Sequence, residues 1–241
     1  MVLPLYLALT ASEISAVSPL SSRCAYMACH FSPYTEGISN IPYGLPPNSM
    51  LILNDRLPCQ GHCADLVAGQ LADAAARLGC ESVLLDFQRP REPESEAIVN
   101  AILSSLTCPV AVTESFADGK DCPVFLSPAP LHLPMDEYLA PWRDREIWLE
   151  AALCQSEIQI TPNGITQNAV FPTEKLSGGF YDDALRCCYR TQILDDTIRF
   201  TLYDTPETLE QKLELAASLG VTRAVGLWQE LGTFPTGKSS A

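Results

Sequence analysis

The stretch ESVLLDFQRP, residues 81–90, decides how the rest of the chain is read. In an extended strand successive side chains point to opposite faces. Ser82, Leu84, Asp86 and Gln88 therefore share one face, and Val83, Leu85 and Phe87 the other. Apolar residues stand on both faces, as a parallel strand covered on both sides requires. An acid, an amide, an arginine and a proline then end it. The strand opens at its C-terminal end into something polar, and an acid–amide pair sits at that opening.

Working outward, LPLYLALT (3–10), CAYMACHF (24–31) and MLILN (50–54) read as strands, with a Pro-, Gly- and Asn-rich loop over 32–48. Residues 64–79 form a helical pattern stopped by Gly79, and 93–106 a second helix with Pro93 and acids in its first turn. PVAVTES (109–115) and PVFLS (123–127) are further strands, whereas EIWLEAAL (146–153) fits either helix or strand. Two hairpins follow, one around Asn163-Gly164 within 156–167 and one turning at Asp195-Asp196 within 187–204. Residues 205–220 are a well-signalled helix, capped by Thr205, opened by Pro206 and ended by Gly220; TRAVGLWQELG (222–232) reads as the last strand.

Apart from the hairpins, strand and helix alternate with short links, and seven or eight strands can be counted. The reading is α/β: a TIM-type (β/α)8 barrel, complete or short of a strand, as one domain over 1–241 with an antiparallel hairpin insertion at 155–204. A doubly wound open sheet competes with it, but no glycine-rich phosphate loop follows the first strand. Barrels of this kind carry their functional groups at strand C-termini. The residues to weigh are then Asn54, Asp55, Asp86, Gln88, Glu114, Glu150 and Trp228.

Composition narrows the partners. The chain has 241 residues, 29 acids against 15 bases and a net charge of −14. Such a surface repels nucleic acid and anionic membrane, while an uncharged sugar is indifferent to it. No run approaches the roughly 20 apolar residues of a membrane helix. The opening MVLPLYLALT lacks the basic start of a signal peptide, so a cytoplasmic protein is expected. Ten scattered cysteines fit reduced, buried thiols better than a disulfide framework. Cys59, His62 and Cys63, with Cys24, Cys29 and His30 earlier, lack the paired spacing of a zinc site; neither metal nor cofactor is expected.

Two segments resemble glycoside hydrolase family 18, the chitinase-like barrels. That family's fourth strand carries D-x-x-D-x-D-x-E before a proline. On 81–90 the resemblance sets Glu81 at the first acid, Leu84 at the second, Asp86 at the third and Gln88 at the catalytic glutamate, with Pro90 in place. Toward the C-terminus, Tyr203, Asp204, Lys212, Ala216, Gly220, Trp228, Leu231 and Gly232 fall in the order found in spore-cortex and peptidoglycan members. The hairpins resemble the family's insertion after its seventh strand. Residues 49–90 and 146–232 carry the likeness.

The resemblance implies a fold, and a defect. Family 18 enzymes protonate the glycosidic oxygen with that glutamate, while a neighbouring aspartate orients the substrate's acetamido group. Glutamine has no proton to surrender. Leu84 replaces an inner acid, and PVFLSP offers no tyrosine where the family places one after the sixth strand. Three functions follow: a sugar-binding barrel without a conventional general acid, lined by Asp86, Gln88 and Trp228; a hydrolase whose acid has moved to Glu114 or Glu150; or a structural or protein-interaction barrel. An oligosaccharide or amino sugar is the expected ligand of the first. Each residue also has a plainer reading, Asp86 as a strand-end acid bonded to a loop amide and Trp228 as packing in the barrel mouth.

Overall fold

The computed structural model describes residues 3–16, 23–170, 176 and 178–232. Eight parallel strands close into a cylinder: β1 (Leu5–Leu9), β2 (Arg23–Phe31), β4 (Met50–Asn54), β5 (Ser82–Asp86), β6 (Val110–Thr113), β7 (Val124–Leu126), β8 (Ile147–Glu150) and β14 (Val221–Leu227). Closure is direct, because β1 pairs with β2 on one side (Ala8 opposite Ala25) and with β14 on the other (Ala8 opposite Leu227). A two-residue strand, β3 (Ile38–Ser39), adds antiparallel to the end of β2. The barrel expected from strand–helix alternation is present, and 146–153 resolves as the strand β8.

Alternation of side chains builds two layers. Val83, Leu85 and Phe87 face outward into the main cluster with Val67, Leu71, Ile98 and Ile102 of the helices. Leu84 faces inward, onto Tyr6, Ile52, Phe125, Trp148 and Val225, which fill the cylinder. At the base, Arg223 lies over the rings of Trp148 (4.6 Å) and Tyr6 (5.9 Å) and pairs with Glu81 at 3.5 Å. The interior is therefore filled, not hollow.

The helices follow their sequence signals. α1 (Ala11–Ala16) follows β1; α2 (Ala64–Leu78) buries Val67, Leu71, Ala74, Ala75 and Leu78 and ends at Gly79, whose φ of 63° lets its N–H reach back to Ala75 O and Ala76 O. α3 (Pro93–Ser105) opens on a reciprocal Glu92–Ser95 cap. α4 (Glu114–Ala117) and α5 (Met135–Leu139) are single turns. α6 (Pro206–Ser218) is capped by Thr205, which accepts from Thr208 N at 3.3 Å. Two boundaries differ from the sequence reading. The stretch PVAVTES leaves the sheet at Thr113, the end of β6, with Glu114 opening α4. The last strand stops at Leu227, and Trp228–Leu231 form α7.

Between β8 and α6 the chain builds a separate antiparallel sheet in the order β10-β9-β13-β12-β11, from β9 (Gln155–Thr161), β10 (Gly164–Val170), β11 (Phe180–Asp182), β12 (Cys187–Leu194) and β13 (Thr197–Tyr203). Its hairpins turn at Pro162-Asn163, one residue before the expected Asn163-Gly164 because Gly164 already pairs with Thr161, and at Asp195-Asp196, with Asp195 at a φ of 50° as a two-residue turn demands. The sheet is tied to the barrel where it rejoins it. Asp204 pairs with Lys212 of α6 at 2.7 Å, both nearly sealed from water, and exchanges backbone and side-chain bonds with Cys154. Among the described residues, no helix is long and apolar enough to cross a membrane.

Candidate functional site

Asn54, Asp86 and Glu150 end β4, β5 and β8. Two residues before each, Ile52, Leu84 and Trp148 belong to the interior cluster, so all three point into the mouth of the cylinder. Their roles diverge. Asn54 donates its amide to Met27 O and Cys29 O, each at 2.9 Å, and accepts Arg56 N at 3.2 Å. Those carbonyls flank the register shift in β2 between Tyr26 and Cys29, so Asn54 satisfies a bulge.

Asp55 works on the opposite side of the same turn. It is buried, and its carboxylate accepts Gln88 N at 2.9 Å and Arg89 N at 2.8 Å, while Arg89 Nε returns a bond to Asp55 O. Thr113 adds a buried bond to Phe87 O at 2.8 Å. The loop after β5 is thus fixed from two neighbouring strands. Asn54 and Asp55, read from sequence as ligand contacts, give their hydrogen-bonding groups to the fold. Their strand-end position brought them into consideration, but the bulge and the loop amides that engage them come from distant sequence.

What this loop presents is Gln88. Its side chain is exposed, and Nε2 donates to Asp86 Oδ1 at 2.6 Å. A carboxylate only accepts, so the amide must offer it nitrogen, leaving a second N–H and the carbonyl Oε1 for a ligand. Burial pushes the Asp86 carboxyl above its ordinary range, the Gln88 amide pulls it back, and the Asp55 charge raises it further. The anion on Asp86 has a donor of its own.

Glu150 has none. Among the described residues no hydrogen bond or cation engages its carboxyl, and Asp86 and Glu230 add like charge. Burial first, and then those two charges, raise it to about 7. Glu230, in α7, accepts the backbone N–H of Leu153 and is itself raised mainly by burial. Tyr138, on α5, donates its hydroxyl to Ser127 O at 2.8 Å, just beyond β7, and also stands 3.4 Å from Glu114 Oε1. Burial and the Glu114 and Glu150 charges hold its phenol well above the ordinary range, so it keeps its proton. Glu114 is exposed and lies outside the inward-facing set, because it begins α4.

Tyr138 and Glu230 were not legible as mouth residues. β7 is the sixth strand of the barrel, and Tyr138 reaches the carbonyl just beyond it from the single turn MDEYL. Glu230 sits in a stretch that reads as strand. Trp228 is a correction. Its indole packs against the cluster of Leu7, Ala151, Leu209, Leu213, Ala224 and Leu231, in the layer between barrel and helices. The strand ends one residue before it, and a Cβ on Gly232 would come within 2.9 Å of its Cδ2. Leu227, 40% exposed, takes the inward parity that Trp228 was expected to hold.

A concavity of about 590 Å³ opens elsewhere, between the N-terminal ends of β7 and β8, lined by Lys120, Cys122, Arg145 and Glu146. Both of its cations are engaged, Lys120 by Glu96 at 2.5 Å and Arg145 by Ala117 O at 2.7 Å. No described cluster of His, Cys, Asp and Glu is arranged to hold a metal, and both ring nitrogens of His62 contact backbone carbonyls.

Comparison with known proteins places the fold. The chain is similar in structure to the spore cortex-lytic enzyme SleL of Bacillus cereus, with a TM-score of 0.56 and 11% identity over 93% of this chain and 70% of that one. It is similar also to a chitinase of Chromobacterium violaceum, with a TM-score of 0.52 and 8% identity over 93% of each chain. No protein-family model and no curated protein matches the sequence. At these identities the likeness establishes architecture: this is a chitinase-like (β/α)8 barrel in fold.

Proposed function

We propose that the barrel mouth binds an oligosaccharide of acetylated amino sugars, with Gln88 in the place where a chitinase-like enzyme holds its general acid. The observation that carries this reading is the Asp86–Gln88 pair, bonded at 2.6 Å on a loop that Asp55 and Thr113 hold rigid. A ligand meets a carboxylate acceptor beside an amide with one free donor and one free acceptor. These are the complements of a sugar's hydroxyl and acetamido groups, presented without the desolvation cost of an unpaired charge. Tyr138 borders the same opening, and Leu227 offers an apolar contact for a ring face. The similarity to a cortex-lytic enzyme and a chitinase supports the ligand class. In this reading the chain is one barrel domain, and the antiparallel sheet of 155–204 is an insertion in it.

Isothermal calorimetry or ligand-observed NMR with N-acetylglucosamine oligomers tests it. Millimolar to micromolar affinity, about −4 to −8 kcal/mol, is expected, and Asp86→Ala and Gln88→Ala should each weaken it by about tenfold or more. Failure of every oligomer to bind at millimolar concentration would leave a structural or protein-interaction barrel as the better reading.

A further inference from the structure

The geometry points to Glu150 as the proton donor of a hydrolytic activity at this mouth, replacing from the opposite wall the acid that Gln88 cannot be. This rests on the sugar-binding reading and adds a reaction to it. Glu150 is the last residue of β8, aimed inward above Trp148, and β8 stands three strands around the cylinder from β5. β8 is also the neighbour of β14, so Glu150 stands on the rim next to the strand end that carries Leu227.

The two carboxyls are unequal in the way acid and base partners must be. Asp86 has the Gln88 amide to stabilise its negative charge; among the described residues Glu150 has no donor and no cation. Among the described residues, Asp86 on β5 and Glu230 on α7 bring like charge that favours the neutral form of Glu150, and the Tyr138 hydroxyl on α5 is spent on Ser127 O. Lys212 on α6, which lines the same small cavity as Glu150, is already paired with Asp204 at 2.7 Å. Of the two carboxyls, Glu150 is the one that keeps its proton longer, because burial and then the Asp86 and Glu230 charges raise it to about 7. Glu114, the other acid that could have moved into the role, is exposed and sits at Tyr138 instead.

The step balances within the site. Glu150 gives its proton to the glycosidic oxygen as the bond from that oxygen to the anomeric carbon breaks, and both electrons of the bond stay with the oxygen. Asp86, as the anion, stabilises the positive charge at the anomeric centre, directly or through the acetamido group it holds. Water then adds its hydroxyl to that carbon, and its proton returns to the Glu150 carboxylate.

The experiment is hydrolysis of N-acetylglucosamine oligomers followed by product chromatography from pH 4 to 9, with calorimetry of binding on the same proteins. Wild type should turn over, with kcat falling as pH rises through about 7, where Glu150 loses its proton. Glu150→Gln, nearly isosteric, should lower kcat by about 10²–10⁴-fold while oligomer affinity stays within about threefold. Glu230→Gln removes one like charge and still can accept from Leu153, so it should move the alkaline limb to lower pH. Oligomer binding with no turnover at any pH overturns the inference and leaves the binding site standing. Turnover that survives Glu150→Gln overturns it also. Absence of binding removes the site itself, and the inference with it.

Discussion

The carboxylate of Asp55 holds the backbone amide of Gln88 at 2.9 Å and that of Arg89 at 2.8 Å, so a buried charge on one strand end shapes the loop beyond the next. Removing it leaves two loop amides without their acceptor. Asp55→Ala should cost about 2–4 kcal/mol in urea unfolding, and Asp55→Asn less, since one carbonyl oxygen remains. Oligomer affinity should fall with the loop, although Asp55 itself touches no ligand.

Glu150 makes stability depend on pH. Its folded value, about 7, lies above that of an unfolded glutamate near 4.3, so the folded state binds the proton more tightly. The stabilisation is fully present below about pH 4 and is lost as pH rises through 7. It amounts to about 3–4 kcal/mol at most across that window. Glu150→Gln should flatten the decline in urea midpoint between pH 4.5 and 7.5; an unchanged slope would exclude Glu150 as its source.

Lys212 and Asp204 are paired at 2.7 Å with almost no access to water. Lys212→Met leaves a buried carboxylate uncompensated and should cost about 3–5 kcal/mol, whereas Lys212→Met with Asp204→Leu should cost markedly less. Thermal unfolding of the single and double variants measures the difference.

Trp228 should matter to the fold and little to the ligand. Its indole is half-buried in the outer layer, so Trp228→Ala should cost about 2–4 kcal/mol and leave oligomer affinity within about twofold. Gly232→Ala should cost about 1–3 kcal/mol, because the new methyl meets Trp228 O at 2.6 Å. A tenfold loss of affinity in Trp228→Ala would place the indole in the mouth after all.

The barrel was legible where a period could show itself. Strand β5 carries apolar residues on both faces, and its parity alone turns Asp86 inward. The hairpins announced themselves by Asn163-Gly164 and Asp195-Asp196. What escaped were elements of one turn. α5 and α7 have five and four residues, too few to display a helical repeat, and α7 continues the apolar pattern of β14. Tyr138, Glu230 and the seat of Trp228 all lie on those turns. The roles of Asn54 and Asp55 escaped for a different reason. Each is decided by partners 25 to 34 positions away, and strand-end polarity alone cannot tell a ligand contact from a brace.

Arg223, wedged between Tyr6 and Trp148 and tethered to Glu81, stoppers the lower end of the cylinder. The vessel is a cup rather than a pipe. Whatever it receives must arrive and depart over a single rim, so a second ligand can block the first but cannot push it through from below.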